Sequence, residues 1–173
     1  MFFKEILKEI TKILKKISEK DLKTYVREVN QAKRIYIVGV GRSGLVAKNL
    51  AMRLVRLNKE VFVVRETVNP QIKSGDLLIA ISGSGETNDV LDTVKISRMM
   101  GAKVLSLIAD KNSPLVKISH EIIIIPAKLP IRLGSHYYLR ELIGVPERSS
   151  TKSLFELCAL IFLEVAVGQL NGE

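Results

Sequence analysis

The hydrophobic residues of this chain fall into short, nearly continuous runs separated by polar stretches. The runs are rich in β-branched residues and stay apolar from end to end, instead of alternating with polar residues. This pattern is typical of strands that are buried on both faces of a parallel sheet. We therefore predict five strands, at residues 34–38, 61–64, 77–81, 103–109 and 121–125.

Between these runs, apolar residues recur at the spacing of amphipathic helices. Helices are predicted at residues 43–57, 86–100 and 152–170, with a short turn or helix from Asn112 to Ile118. Strands that alternate with helices predict an α/β fold, a three-layer αβα sandwich around a parallel sheet with right-handed crossovers. Five strands favour the flavodoxin-like order 2-1-3-4-5 over a six-stranded dinucleotide fold.

Residues 126–150 do not fit this alternation. They combine prolines, glycines and mixed charges, and they show no clear period. A connection of this length is often a functional lid or a binding loop. The chain has the length of one domain, and we divide it into an N-terminal amphipathic helical segment (1–33) and the α/β domain (34–173).

The formal net charge is +9, and the excess is concentrated at the N-terminal end. Residues 2–17 place apolar side chains at helical spacing beside a face of lysines. A nucleic acid or a membrane surface could use such a face. Acidic residues interrupt it, however, and no zinc-finger or RNP pattern occurs. We therefore expect this helix to lie on the domain or on a second subunit, with neither nucleic acid nor membrane as a partner.

The composition excludes several classes of protein. A hydrophobic content of 47% excludes a disordered chain, and a single cysteine excludes a disulfide scaffold. Cys158 lies in an apolar run and is expected to be a buried thiol. No apolar run approaches the roughly 18 residues of a membrane span. The charged N-terminal stretch does not have the pattern of a secretory signal, so we expect the cytoplasm.

Two loops rich in glycine and serine follow predicted strands and carry the candidate chemistry. The first is GVGRSG, residues 39–44. Its glycines allow a tight turn, and the N–H groups of the following helix favour an anion. The pattern GxGxxG, with Glu66 at 22 residues beyond Gly44, is also the dinucleotide fingerprint. An ordinary turn between strand and helix is the simplest alternative.

The second loop is SGSGET, residues 82–87, and it adds the hydroxyls of Ser82, Ser84 and Thr87. In the predicted order, strands 1 and 3 are neighbours, so both loops face one crevice at the carboxyl edge of the sheet. A dinucleotide needs one such loop, whereas a compact phosphate can use both. The alternative is that the serines only cap the helix. Glu86 would repel a phosphate, and we expect it to point away.

These residues resemble the sugar isomerase (SIS) domain family, and most of all its 6-phospho-3-hexuloisomerase branch. The resemblance is carried by GVGRSGLVAKNLAMRL (39–54), the pair Glu66-Thr67, KSGDLLIAISGSGET (73–87) and SLFELCALIFLE (153–164). It implies a five-stranded sandwich that assembles into homotetramers. It also implies a phosphorylated sugar substrate and the interconversion of hex-3-ulose 6-phosphate and fructose 6-phosphate, without metal, nucleotide or other cofactor.

The resemblance also implies roles for particular residues. Glu156, in the LFE stretch, is implied as the catalytic base. Moving a carbonyl along a sugar requires removing a proton from the adjacent carbon, and one carboxylate can carry it through an enediolate. The candidate substrate-binding residues lie in the two loops: Gly41, Arg42, Ser43, Ser82, Gly83, Ser84, Gly85 and Thr87.

Other polar residues are assigned less directly. Arg42 and His136 are the candidate donors to the oxyanion, whereas His120 precedes a buried strand and is expected to be structural. Glu164 is expected to face a partner or to form a salt bridge. Two departures from the family pattern stand out: Arg56 lies in a segment where the family usually has histidine, and Lys152 lies where it tends to have Met-Gly.

Three functions remain open at this point. The first is the sugar-phosphate isomerase, acting on the hexulose or on another sugar phosphate. The second is a non-catalytic sugar-phosphate sensor, like the SIS domains of transcription regulators, although the stretch before the first strand is short for a helix-turn-helix domain. The third is a nucleotide-dependent enzyme that uses GVGRSG.

Overall fold

The computed structural model describes residues 2–129 and 153–172, which form five strands and six helices. The strands are β1 (Ile35–Gly39), β2 (Val61–Val63), β3 (Leu77–Ile81), β4 (Lys103–Ile108) and β5 (Glu121–Ile124). The helices are α1 (Phe2–Leu14), α2 (Glu19–Gln31), α3 (Arg42–Val55), α4 (Asn88–Met99), α5 (Pro114–Ile118) and α6 (Leu154–Leu170). Most of the long connection at 126–150 lies outside the described residues, and so do His136 and Lys152.

The five strands form one parallel sheet in the order β2-β1-β3-β4-β5, as predicted. Successive side chains of a strand point to opposite faces. Ile35 and Ile37 of β1 enter one hydrophobic core, and Tyr36 and Val38 enter the other. Both faces of the sheet are covered, which is why the strands appear in the sequence as unbroken apolar runs.

Helices cover the two faces unequally. The larger core lies between the sheet and the helices α1, α2, α3 and α6, and the smaller one lies under α4 and α5. Helix α6 is largely buried, as its sequence predicts. Cys158 of α6 is fully buried, and burial raises the pKa of its thiol to about 11. The prediction of a buried cysteine is confirmed.

The N-terminal segment forms two helices that meet at Ser18. The Ser18 side chain accepts a hydrogen bond from the Asp21 N–H, and the Asp21 carboxylate accepts one from the Ser18 N–H. This reciprocal pair is a capping box that starts α2. Tyr25 of α2 is fully buried and meets Phe162 of α6 edge to face, with ring centroids 6.0 Å apart. The N-terminal helices therefore lie on the domain, one of the two arrangements expected.

Two buried carboxylates hold the amino edge of the sheet. Asp76 accepts hydrogen bonds from Arg34, with Nη2 to Oδ2 at 2.6 Å and Nε to Oδ1 at 3.1 Å. Glu28 of α2 lies 2.7 Å from Lys103 Nζ at the start of β4. Burial alone would raise both pKa values, but hydrogen bonds from the cations outweigh it and lower them. These pairs lie at the edge of the sheet opposite to the two glycine loops.

Candidate active site

The turn after β1 brings the start of α3 against the end of the strand. Gly41 has φ 61° and ψ −128°, a conformation that residues with a Cβ rarely adopt. A Cβ on Gly39 would lie 2.5 Å from the carbonyl oxygen of Ser43, so only glycine fits there. Ser43 is buried in the first turn of α3. The N–H groups of this turn point toward the loop, where they favour an anion.

The loop after β3 is held in shape partly by its own hydroxyls. Ser82 Oγ accepts a hydrogen bond from the Gly85 N–H at 3.2 Å and lies 3.4 Å from Thr87 Oγ1. Ser84 Oγ accepts one from the Glu86 N–H at 3.3 Å. Thr87 occupies the N-cap position of α4, yet its side chain makes no capping hydrogen bond. The interpretation of these residues as helix caps therefore fails at Thr87.

The two loops lie side by side. In the register of β1 and β3, Gly39 is the partner of Ile81, so residues 40 and 82 leave the sheet at the same level. Adjacent strands are about 4.8 Å apart. The prediction that the two loops follow neighbouring strands is confirmed, and both flank the point where the strand order reverses between β1 and β3.

Glu156 reaches this crevice from the first turn of α6. Its neighbour Phe155 packs against the second loop. The contact is close enough that a Cβ on Gly83 would lie 3.1 Å from the Phe155 ring. The Glu156 side chain is 15% exposed. Its Oε2 atom is buried and accepts no hydrogen bond from any described residue. A buried carboxylate oxygen without a donor is costly unless a ligand or water supplies one.

Arg42 is the cation that pairs with this carboxylate among the described residues. Its Nε atom lies 3.7 Å from Glu156 Oε1, which is an ion-pair distance and too long for a hydrogen bond. The Arg42 side chain is 38% exposed at the start of α3. The structure therefore places Arg42 between the glycine turn and Glu156, where a guanidinium can face an anionic group in the crevice.

Two further ion pairs surround the loops, and the sequence analysis did not identify them. Lys48 Nζ lies 3.0 Å from Glu66 Oε1, and Arg65 Nη2 lies 3.4 Å from Asp89 Oδ2. A cavity of about 390 Å³ opens between the glycine turn, Lys48 and residues 63–66. Glu66, the acidic residue of the dinucleotide fingerprint, lines it. The sequence did carry a signal for these contacts: residues 65 and 66 follow the end of β2, and the ends of parallel strands lie at the same edge of the sheet as the two loops.

Two other assignments concern residues away from the crevice. His120 Nδ1 accepts a hydrogen bond from the Val104 N–H at 2.9 Å. Burial and then the neighbouring Arg98 and Lys103 lower the pKa of His120, which is the structural role expected. Glu164 Oε2 pairs with Arg53 Nη2 at 3.1 Å, so the expected salt bridge is present.

Among the described residues, no group of three or more His, Cys, Asp or Glu side chains could hold a metal ion. Within the same residues, every helix is too short or too polar to cross a membrane.

The fold is an αβα sandwich whose two loops rich in glycine and serine lie side by side at the carboxyl edge of the sheet. The model of the SIS domain matches residues 28–137, so this chain belongs to the SIS domain family. The family resemblance of the sequence motifs is thereby confirmed.

Two similar proteins are connected by name with one member of this family, 3-hexulose-6-phosphate isomerase. The chain is 31% identical over 162 residues to 3-hexulose-6-phosphate isomerase of Mycobacterium gastri, covering 94% of this chain and 77% of that protein. It is similar to a Methanococcus jannaschii protein whose crystal structure infers a molecular function of 3-hexulose-6-phosphate isomerase. The TM-score is 0.80 with 29% identity, over 99% of this chain and 90% of the other.

A structure of a different kind is also similar. The NanR protein of Vibrio vulnificus, solved in complex with ManNAc-6P, has a TM-score of 0.75 and 26% identity to this chain. The match covers 98% of this chain and 60% of NanR.

Proposed function

We propose that this protein is a sugar-phosphate isomerase that interconverts hex-3-ulose 6-phosphate and fructose 6-phosphate, with Glu156 as the base. The observation that carries the proposal is the buried, unpartnered Oε2 of Glu156 beside two anion-binding loops. A catalytic base needs an oxygen that is free to meet a substrate proton, and an acid that only began a helix would not leave it buried without a partner. The names of the relatives supply the substrate class.

In this proposal the loops bind the phosphoryl group. The hydroxyls of Ser43, Ser82, Ser84 and Thr87 and the N–H groups at the glycines Gly41, Gly83 and Gly85 surround it. The positive end of the α4 dipole lies at the same loop and adds to the attraction for an anion. Holding the phosphate at one end places the sugar chain along the crevice toward Glu156, so that the reacting carbons lie next to the base.

The reaction itself moves one carbon-bound proton. From fructose 6-phosphate, Glu156 removes the proton on C3, next to the C2 carbonyl, and an enediolate forms across C2 and C3. The protonated Glu156 then returns the proton to C2. The O3 hydroxyl passes its proton to O2, so that O2 becomes a hydroxyl and O3 becomes the carbonyl, and atoms and charge balance. Arg42 faces the oxygen on which negative charge develops, and a cation at that point stabilises the enediolate.

The proposal extends to assembly and location. Apolar side chains remain exposed along α3 and α6: Leu45, Met52, Val55, Leu157, Ile161 and Val165. A patch of this kind on a globular domain marks an interface. We infer that it is the surface through which copies of the chain form the homotetramer implied by the family resemblance. We place the protein in the cytoplasm, with no nucleic acid or membrane as a partner. We also propose that the N-terminal helical segment ends at residue 33 and that the SIS domain begins at residue 34.

A direct test is the rate of conversion of hex-3-ulose 6-phosphate to fructose 6-phosphate. We expect Glu156→Gln to lose about 10²–10⁴-fold in kcat, the usual contribution of a positioned base. The matched control is Glu164→Gln, which makes the same change two turns along α6, where the carboxylate pairs with Arg53. Equal activity of Glu156→Gln and the wild type would refute the role of the base.

A second candidate is a sugar-phosphate sensor without catalysis. The likeness to NanR bound to ManNAc-6P favours it, since a similar fold holds a sugar phosphate there. A sensor binds fructose 6-phosphate but exchanges no carbon-bound proton. Calorimetry that detects binding, together with an absence of turnover, would favour this function over the isomerase.

A further inference from the structure

Arg65, directly after β2, has a backbone conformation that arginine rarely adopts. Its φ is +82°, in the left-handed region where a Cβ meets its own backbone. Glycine would occupy this position without strain. Strain of this kind persists where the surrounding structure holds it, and it concentrates at functional sites. The strained backbone at Arg65 therefore suggests that its side chain has a function.

The side chain leads to the phosphate loop. Arg65 Nη2 lies 3.4 Å from Asp89 Oδ2, and Asp89 is in the first turn of α4, two residues after Thr87. The guanidinium thus lies at the rim of the loop 82–87. Its side chain is 47% exposed. The same residue borders the cavity beside the glycine turn.

The charges around the loop explain what a cation does there. Two carboxylates lie at this end of α4, Glu86 in the loop and Asp89 in the first turn of the helix, and both oppose a phosphate dianion. The donors that the loop offers are hydroxyls and N–H groups, which are neutral. Arg42 is already engaged with Glu156 on the other side. A guanidinium at the α4 side offsets the two acids and offers the paired donors that match phosphate oxygens.

We propose that Arg65 is a specificity-determining residue, which binds the phosphoryl group of the substrate and makes the crevice select phosphorylated over neutral sugars. This inference rests on the proposed function for the identity of the sugar, but its test measures binding and not turnover.

The experiment compares Arg65→Ala with Arg65→Gly, using isothermal calorimetry with fructose 6-phosphate and thermal unfolding without ligand. Both variants lose the guanidinium, and only glycine relieves the backbone. We expect both to raise the Kd of fructose 6-phosphate by about tenfold or more, as is usual for a lost charged hydrogen bond. We expect the Tm of Arg65→Gly to exceed that of Arg65→Ala by about 2–4 °C.

The matched control is Asn58→Gly. Asn58 is the other described non-glycine residue at positive φ, 58°, and it follows α3, away from both loops. This variant relieves the same kind of backbone conformation, so its Tm does not fall and its Kd for fructose 6-phosphate stays at the wild-type value.

An unchanged Kd in Arg65→Ala would overturn the inference, and so would weaker binding in Arg65→Gly alone, which would trace the effect to the backbone. Inorganic phosphate is the second probe, and we expect the same loss with it. If the wild type binds neither probe, the inference is also wrong. If binding depends on Arg65 but the wild type does not isomerise the sugar, the inference stands and the isomerase proposal fails.

Discussion

Replacing Gly83 with alanine tests the contact between the phosphate loop and the turn that carries Glu156. The added Cβ would lie 3.0 Å from Leu129 Cδ2 and 3.1 Å from Phe155 Cδ1. Both distances are a few tenths of an ångström shorter than ordinary van der Waals contact. The end of the leucine side chain can move away. The Phe155 ring is 1% exposed in the larger core, so it can yield only by shifting the first turn of α6.

Forcing one methyl group into a packed site usually costs about 1–3 kcal/mol. We expect about 1–2 kcal/mol here, because the leucine absorbs part of the clash, and urea unfolding measures it. A displacement of the carboxylate by a fraction of an ångström is more serious for catalysis, since about 1 Å of misplacement can cost 10²-fold. We therefore expect kcat of Gly83→Ala to fall about tenfold or more.

The control is a double-mutant cycle with Phe155→Leu, which removes the ring edge that the new methyl meets. If the contact is as described, Gly83→Ala costs less in the Phe155→Leu background, and the coupling energy is at least about 0.5 kcal/mol. Additive effects on stability and on kcat would refute the reasoning, because they would mean that the loop and α6 do not touch.

Three further predictions concern stability and reactivity. Because the folded-state pKa of Asp76 is lowered, its pair with Arg34 stabilises the protein above the ordinary aspartate pKa of about 3.9, and the contribution declines as the pH falls below it. Asp76→Asn should therefore lower the free energy of unfolding at pH 7 and flatten its pH dependence below about pH 4; an unchanged slope would count against the pair. Ser18→Ala removes the N-cap of α2 and should cost about 1 kcal/mol by urea unfolding, whereas Ser18→Asp, which can still cap, should cost less. Cys158 should resist iodoacetamide at pH 8 until the protein unfolds, because burial raises its pKa to about 11, and rapid labelling of the native protein would contradict its burial.

The fold could be predicted from the sequence because the three central strands, β1, β3 and β4, are buried on both faces. Unbroken apolar runs then mark the strands directly, and helical periods mark the layers between them. The two loops could be predicted for the same reason: each follows a recognisable strand, and strand order brings their ends together. The start of α2 at Ser18 was also present in the sequence, as Ser18 and Asp21 at capping-box spacing.

The contacts that complete the site could not be predicted, since they join residues that are far apart in the chain. The ring of Phe155 beneath Gly83 depends on how α6 returns to the sheet. The pairing of Arg65 with Asp89 depends on the left-handed backbone at residue 65. An arginine in a sequence does not predict that backbone conformation, because arginine rarely adopts it. Periodicity describes the inside of an element, whereas these contacts are set at its ends by tertiary packing.

The central claim is that Glu156 moves a proton between C3 and C2 of a sugar whose phosphate is held by the two loops. The most direct measurement is an NMR experiment on fructose 6-phosphate incubated with the protein in D₂O. We predict that deuterium enters at C3 with the wild type and that Glu156→Gln slows this exchange about 10²–10⁴-fold. Exchange at C1 would indicate a different isomerisation, and an absence of exchange at C3, or full exchange with Glu156→Gln, would contradict the account.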